Sequence, residues 1–508
     1  MRLALWHGWR LEGSGSNVLT ARIAEVLRAG GHDVLLLCQE PAAAAMPFVD
    51  GVGTVSADGV SPIEPTGAAP AAGRVTVLRP SIGPLLPVFV VDRYEGFEVK
   101  RFVDLTDDEL GGYLSRNADA LRAAVEWHGS EIVVAGHAFP GPSVALLAVG
   151  PGRYVAKVHG SDLEYAVRQQ PRLAELAREG LEGAVAVTGS SQNVLDRTVE
   201  LFPAVRDRVI VASPGVDPER FRRVDGVEGL IAAAERLEAG PRSGTGRPAS
   251  LDEEVARALE ERDSAALDAL ASRYDQDAPD PEAGARLRAL ASAGVPLVGY
   301  FGKLIPQKGV ELLLQALPGV RGRGVVIGFG TFREWLAALA MALDRGDADA
   351  FAWLEEASPM QLELSPEAVP AAGLASRVTF TGRLDHSVAP GALAALSVLV
   401  VPSTLPEAFG MVAAEGAAAG ALPLVARHSG LGELAGILEA AVGRPGWFSF
   451  EPGPGAVARL TTGIERLLAI PEAEAEELRQ AVSDVARTEW TWNRAAEAVL
   501  EAASRPPA

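Results

Sequence analysis

The stretch from Val398 to Ala426, VLVVPSTLPEAFGMVAAEGAAAGALPLVA, constrains the fold more than any other part of the chain. It opens on a β-branched apolar run, Val398 to Val401, of the length of a buried strand. A loop carrying Pro402, Ser403, Thr404 and Pro406 follows. Residues Phe409 to Ala414 then read as the opening of a helix, and a second apolar run, Leu422 to Ala426, closes the unit. Strand, helix and strand in succession predict a parallel sheet with helical crossovers.

Two acids stand in this unit at the spacing E-x7-E, Glu407 and Glu415. Glu407 falls in the loop above a strand's C-terminal end, where open α/β sheets bind ligands. Glu415 falls about one and a half helical turns further in. Between them the first helical N–H groups, from Gly410 to Val412, lack partners inside the helix and suit an anion such as a diphosphate. A carboxylate on either side of that anion suits hydroxyl-rich groups, a sugar at one end and a ribose at the other. Taken alone, the same pattern describes two ordinary surface acids on a βαβ unit.

The rest of the chain repeats the theme. Residues Arg2 to His7 read as a strand, Val18 to Ala29 as an amphipathic helix, and His32 to Leu37 as the next strand. The loop between them holds Gly13 and Gly15, but Val18 stands where a dinucleotide fingerprint needs its third glycine. Strands are expected at Arg74–Leu78, Val88–Val91, Glu131–Ala135, Tyr154–Val158, Ala184–Val187 and Val209–Val211, with helices at Asp108–Trp127 and Pro171–Glu179. Residues 42–72, rich in Ala, Gly and Pro, read as a variable loop. Residues 222–293 break the pattern. They are acidic and helical in composition, with a glycine- and serine-bearing joint at Gly240–Ser250, and LDEEVARALEERDSAALDALASRY reads as one amphipathic helix. A second α/β run begins at Pro296–Phe301 and continues through Gly324–Ile327 and Val378–Phe380. Extra helices are expected within Phe332–Ala375, and helices close the chain.

Composition excludes several classes of function. A 508-residue chain exceeds a single core, and its net charge of -20 argues against a nucleic-acid partner. It also disfavours electrostatic membrane anchoring, although a local basic patch for peripheral contact remains compatible with it. Cys38, the single cysteine, follows a strand-like run and reads as a buried structural thiol. With no apolar leader or membrane-length run in view, a cytoplasmic protein is expected. Abundant Ala and Gly, with Arg in excess of Lys, read as the composition bias of a high-GC bacterium. The chain contains no Walker sequence, nucleophile elbow or H-E-x-x-H, and its seven histidines show no metal spacing.

Further candidates lie at strand ends. Lys303 and Lys308 in FGKLIPQKG flank a loop that opens a helix, and two such point charges neutralise a phosphate. His159 and Asp162 in VHGSDL follow the strand Tyr154–Val158, where a histidine can bond a sugar hydroxyl or carry a proton. His137 holds an equivalent place, and His7 is a third. His128 reads as a helix-end surface residue. His386 carries little weight, and His32 and His428 none.

With the glycine loop GSGSN, VHGSDL, SPGVDPERF, FGKLIPQKG, VTFTGRL and the Glu407–Glu415 stretch in this order, the chain resembles the retaining family 4 (group 1) glycosyltransferases of the GT-B fold, over about residues 1–221 and 294–503. The resemblance implies two Rossmann-like domains facing across a cleft. They would be an acceptor domain at 1–221 and a nucleotide-sugar donor domain at 294–487, with the helical insertion 222–293 between them and a terminal helix within 488–508 crossing back. By resemblance, Glu407 faces the donor sugar and Glu415 holds the ribose. The amides of Phe409, Gly410 and Met411 serve sugar and phosphates. Lys303 and Lys308 grip the diphosphate, His159 stands near the transferred sugar, and Gly15 lies near the phosphates. The backbone at Arg383 and Leu384 flanks the base, while His137 and Asp162 are acceptor-side candidates. The donor implied is a UDP- or GDP-sugar, the acceptor is open, and no metal or other cofactor is expected. Position 303 departs from the arginine usual there, Ser397 replaces a common aspartate, and the insertion is longer than the usual linker. The competing readings are a catalytically silent nucleotide-sugar-binding protein with a partner-docking insertion, and an epimerase or phosphorylase of the same fold.

Overall fold

The computed structural model describes residues 1–90, 94–240, 245–363 and 373–506. The chain divides into two units, Met1–Gly215 with Trp490–Ala508, and Val216–Glu489.

The first unit is built on β1 (Arg2–Trp6), β2 (Asp33–Leu37), β3 (Gly51–Ser56), β4 (Gly59–Val60), β5 (Glu64–Pro65), β6 (Arg74–Pro80), β7 (Leu85–Val88), β8 (Glu98–Arg101), β9 (Ile132–Gly136), β10 (Tyr154–Val158), β11 (Ala186–Gly189) and β12 (Val209–Val211). The main sheet runs β12-β11-β10-β9-β1-β2-β6-β3-β4, with β5 beside β3 and a separate β7-β8 pair. Every neighbouring pair from β12 to β3 is parallel. The chain winds outward from β1 through β2 to β3, inserts β6 between β2 and β3, then returns to β9 on the other side of β1 and winds the opposite way. The topological switch point therefore lies between the C-terminal ends of β1 and β9, where such sheets open a ligand crevice.

Residues 42–72 are not a plain loop, since they form β3, β4 and β5. Gly51 and Gly53 hide β3 in the sequence because glycine carries no strand signal. Ile63 packs where their side chains would stand, within 2.7 and 2.9 Å of an added Cβ. The helix after β1 starts at Gly15, ahead of the expected Val18, because Ser14 caps it by accepting from the Asn17 amide. The strand expected at Val88–Val91 lies at Leu85–Val88, and Val91 is outside the described residues. The terminal helix Trp492–Ala503 belongs to this unit and packs on the helix Gly15–Ala29. Its approach requires Gly215, where a Cβ would fall 2.2 Å from the Trp492 nitrogen.

The second unit is built on β13 (Leu297–Lys303), β14 (Arg323–Phe329), β15 (Val378–Gly382), β16 (Val398–Val401), β17 (Leu422–Ala426) and β18 (Ser449–Phe450), all parallel in the order β15-β14-β13-β16-β17-β18. Its switch point lies between β13 and β16. Those strands pair only at Val298↔Val398 and Gly299↔Leu399, while β13 continues beside β14 as far as Lys303↔Phe329. The sheet thus splays at its C-terminal edge between the Lys303 loop and the Glu407 loop.

Residues 226–291 pack into this second unit. The helices Gly226–Ala239 and Ala283–Ala291 lie against each other, and the first also meets the helix Ala389–Ala394. There the backbones touch at Gly229 and Gly391, each leaving no room for a Cβ. The expected single helix over LDEEVARALEERDSAALDALASRY is two, Leu251–Glu261 and Ser264–Leu270. Arg262 turns left-handed at φ 56°, and Asp263 caps the second helix through the Ala266 amide. The apolar period crosses the break because both helices bury one face on the helix Arg333–Arg345. The Gly240–Ser250 joint lies partly outside the described residues, as does part of Phe332–Ala375, which holds the helices Arg333–Arg345 and Ala348–Ala357. His128 is buried, against the surface position expected, with one ring nitrogen 2.8 Å from Ser130 Oγ and the other 3.2 Å from Asp33. Among the described residues no helix is long and apolar enough to cross a membrane.

Candidate functional site

In the second unit the two switch-point loops are clamped together. Gly309 adopts φ 65°, and a Cβ there would fall 2.2 Å from the Pro402 carbonyl oxygen, so glycine alone permits the approach. The Thr404 amide donates to the Gln307 carbonyl at 3.0 Å. This brings Lys308 Nζ onto Glu407 Oε1 as an ion pair. Ser403 Oγ donates to the same carboxylate oxygen at 2.6 Å. Burial raises the Glu407 pKa, but the charge and hydrogen bond of Lys308, with Ser403, outweigh it and hold the group below the ordinary carboxylate range.

A ring of bonds fixes Glu407 from behind. Its amide donates to Ser429 Oγ at 2.9 Å. Ser429 lies 3.0 Å from His428 Nδ1, and His428 Nε2 lies 2.7 Å from the Ser403 carbonyl oxygen. The tautomer that satisfies all four groups has Nε2–H donating to Ser403 and Nδ1 accepting from the Ser429 hydroxyl. His428 thus supports Glu407, although no functional weight was expected of it from the sequence. The usable signal was its place just beyond the C-terminal end of β17.

The helix beyond Glu407 begins at Met411, not at Phe409 as expected. Gly410 is its left-handed N-terminal residue at φ 103°, and Phe409 is buried in the loop before it. The Met411 and Val412 amides therefore open the helix. Glu415, 5% exposed, lies on this helix with His386 Nε2 3.6 Å from its carboxylate. His386 also meets the edge of Phe221 at 5.8 Å, so a residue of small sequence weight stands beside a principal one. Lys303, half-buried, ends β13 on the same edge. Arg383 lies over the Phe329 ring at 4.9 Å and pairs with Asp277 at 2.6 Å. Leu384 turns its side chain into the core, leaving its backbone as the part a ligand could meet.

In the first unit the switch point is filled by a cluster of rings. His137 follows β9 with φ 74°, a left-handed position of the kind that clusters at functional sites. Its ring centroid lies 4.5 Å from His159, 4.6 Å from Trp9, 4.9 Å from Phe89 and 5.9 Å from His7. Asp162 is fully buried. Its oxygens accept from the Ala138, His159 and Leu163 amides at 2.5, 3.2 and 3.0 Å. It ties the β9 and β10 loops together, which makes it a positioning residue for His137 and His159. Gly15 stands exposed in the first turn of its helix.

His137 Nδ1 and His159 Nε2 are buried without a hydrogen-bond partner, the kind of deficit a ligand hydroxyl can satisfy. Lys157 on β10, invisible as a site in the sequence, is buried with Nζ 3.4 Å from Thr20 Oγ1. Burial pushes its pKa down to about 7. Among the described residues no group of three or more His, Cys, Asp or Glu side chains is arranged to hold a metal ion.

Burial, with the nearby Lys157 charge, takes His7 down to about 4 against its Asn17 bond. Burial and neighbouring positive groups take His137 and His159 well below 6.5. The three are neutral when folded and titrate near 6.5 when unfolded. The unfolded chain therefore gains more protons on acidification. Stability from these groups is complete above about pH 6.5 and falls as the pH drops toward 4, with a limiting slope of about 1.4 kcal/mol per pH unit for each histidine. Equilibrium unfolding at pH 7 and pH 5 is expected to show a smaller loss for His7→Gln than for the unmodified protein. An equal loss would mean that His7 is solvated in the folded state.

The fold and the two switch-point sites define a GT-B architecture. The likeness to solved structures is at the level of fold. The sucrose-phosphate synthase of Thermosynechococcus elongatus aligns with TM-score 0.57 and 17% identity, covering 98% of this chain and 96% of its own. Anabaena HepE in complex with UDP and glucose aligns with TM-score 0.58 and 15% identity, covering 99% and 98%. The glycosyltransferase family 4 model matches residues 13–220 and the group 1 glycosyl transferase model matches residues 295–485, between them most of the chain. The chain belongs to the group 1, family 4 glycosyltransferases. Curated relatives include the 2-deoxystreptamine N-acetyl-D-glucosaminyltransferase of Streptomyces fradiae, 35% identical over 187 residues, which are 35% of this chain and 38% of that protein. Another is the GDP-mannose-dependent alpha-(1-6)-phosphatidylinositol monomannoside mannosyltransferase of Mycolicibacterium smegmatis, 30% identical over 181 residues, 33% of this chain and 40% of that protein. The matched part thus spans about two fifths of the length of these relatives.

Proposed function

We propose that this chain transfers a hexose-type sugar from a nucleoside-diphosphate sugar to an acceptor hydroxyl, with retention of anomeric configuration. The observation that carries this reading is the Lys308–Glu407 pair at the switch point of the second sheet, beside the N-terminus of the helix Met411–Ala419. A bound diphosphate takes over Lys308 from Glu407, which leaves the carboxylate to accept from sugar hydroxyls. Lys303, Lys308 and the helix amides then stabilise the charge that grows on the leaving diphosphate, and this can be done without a metal ion. The leaving phosphate oxygen takes the acceptor proton. Glu415, with His386 beside it, holds the ribose hydroxyls. The unpartnered nitrogens of His137 and His159 serve hydroxyl groups on the first unit.

The names of related proteins support a nucleotide-sugar donor. One relative is GDP-mannose-dependent, and solved neighbours of like fold hold UDP-glucose or UDP-2-fluoro glucose. The test is a thermal-shift screen against UDP- and GDP-sugars, followed by NMR of the product's anomeric proton. The true donor raises the melting temperature in proportion to the logarithm of its concentration over its dissociation constant, and the product keeps the donor's configuration. Absence of a shift with every nucleotide sugar overturns the donor reading, and an inverted product overturns the retaining one.

A further inference from the structure

Lys157 is a buried titratable group to which the proposed transfer gives no task. It stands on β10 between β9 and β11, with its side chain directed at the helix Gly15–Ala29. Nζ meets Thr20 Oγ1 at 3.4 Å, and the Thr20 hydroxyl donates to the Ser16 carbonyl at 2.9 Å. Beside the ammonium lies a cavity of about 10 Å³, room for one water, walled by Leu5, Ile23, Val134 and Val499. The strand neighbours of Lys157 are Gly136 on β9 and Thr188 on β11, both uncharged. Arg494, Glu497 and Glu501 of the terminal helix are exposed to water, and the buried Asp162 is turned onto three backbone amides. Among the described residues no carboxylate pairs with Lys157. A buried cation with one neutral oxygen for a partner is unfavourable, and an apolar residue of the same length would be easier to bury.

Its neighbours supply a reason for the charge. His7 Nδ1 also lies 3.4 Å from Thr20 Oγ1, so the ammonium is within twice that distance of the ring nitrogen. His137 and His159 continue the row, in ring contact with His7 and with each other. Burial is the first cause that lowers each histidine, and the Lys157 charge adds to it at all three. As the pH falls, the first proton therefore goes to Lys157, which titrates at about 7, and its charge resists a second.

Resting on the transfer reading above, we infer that Lys157 is a positioning residue for the acceptor: as the proton-holding member of this cluster it keeps His137 and His159 neutral, so that each ring retains a nitrogen able to accept from an acceptor hydroxyl. An imidazolium has two donors and no acceptor. The atoms concerned are His137 Nδ1 and His159 Nε2, the buried nitrogens that have no hydrogen-bond partner.

The test uses the full chain with Lys157→Met and Lys157→Gln, which remove the charge at nearly constant length, and Lys157→Arg, which keeps it. Histidine-labelled protein is titrated by NMR from pH 8 to pH 4, with His137→Gln and His159→Gln assigning the signals. The pH profile of kcat/KM is measured with the nucleotide sugar selected by thermal shift, water standing in for the acceptor hydroxyl. Loss of a unit charge at this range is expected to raise the His137 or His159 midpoint by about one pH unit or more. The acid limb of kcat/KM is expected to move up by the same amount, and Lys157→Arg to keep the limb of the unmodified protein. Unmoved midpoints in a folded, charge-free variant overturn the inference and leave the transfer reading standing. Raised midpoints with an unmoved acid limb overturn it too, since Lys157 would then touch the histidines electrostatically without serving the reaction. No turnover of any nucleotide sugar by the unmodified protein overturns the transfer reading and the inference with it.

Discussion

Replacement of Lys308 by alanine is expected to lower kcat/KM for sugar transfer by about 100- to 1000-fold, the range found when one preorganised donor to developing negative charge is removed. The loss should fall mainly on kcat, because the charge on the leaving diphosphate is larger in the transition state than in the bound donor. Lys308→Arg should recover part of the activity, since it keeps the charge and changes its geometry. The variant also leaves Glu407 about one-fifth exposed with Ser403 but no cation, so its carboxyl rises toward the neutral form. Steady-state kinetics from pH 5 to 8 would show both effects. A loss confined to KM would mean that Lys308 only holds donor in the ground state. No loss at all, in a variant shown to be folded, would remove the pair from the mechanism.

The largest stability effect is expected at Glu334, on the helix Arg333–Arg345. Its side chain is 0% exposed and is gripped by Arg247, itself 2% exposed, through Nε at 2.9 Å and Nη2 at 2.8 Å. Tyr274 donates to the same carboxylate at 2.8 Å. Glu334→Ala leaves a buried guanidinium with only Asp252, half-exposed and 2.8 Å away, as counter-charge. Loss of one partner of a buried pair costs about 3–5 kcal/mol. The double variant Arg247→Met with Glu334→Leu should regain most of that, because it removes the unmatched charge along with its partner. Urea unfolding of the three variants separates the cases. A single variant within about 1 kcal/mol of the unmodified protein would show that water reaches Arg247.

How much was legible in the sequence varied with range. The strands β1, β2, β10, β13, β16 and β17 were readable because buried parallel strands are continuous apolar runs, and the candidates followed from asking what lies just past each run. Glu407 and Lys308 were found in this way, 99 residues apart. The same rule applied to β17 would have found His428, and applied to β15 it would have given His386 more weight. It failed at β3, whose glycines carry no strand signal, and across Arg262–Asp263. There the apolar period continued while a left-handed residue ended one helix and an aspartate started another.

Lys157 marks a different limit. An alternate residue of a strand buried on both faces reads as a solvated lysine in any one-dimensional pattern. Only the sheet order, with β9 and β11 on either side of β10 and Thr20 above it, shows the ammonium cut off from water. Asp162 is similar. Its letter suggested a group facing the acceptor, whereas its carboxylate is spent on three backbone amides.

The sequence by itself determined the class of fold and the chemical types gathered at each strand end, because hydrophobic period and chain-local turns are short-range properties. Tertiary structure alone decided which of those ends are neighbours. Winding β13 to β15 one way and β16 to β18 the other sets Lys308 against Glu407. It also fastens the segment Thr245–Asp280, part of the helical insertion expected from the sequence, to the end of β15. Hydrogen-bond partners and burial come from strand order, a long-range property that no local run of residues encodes.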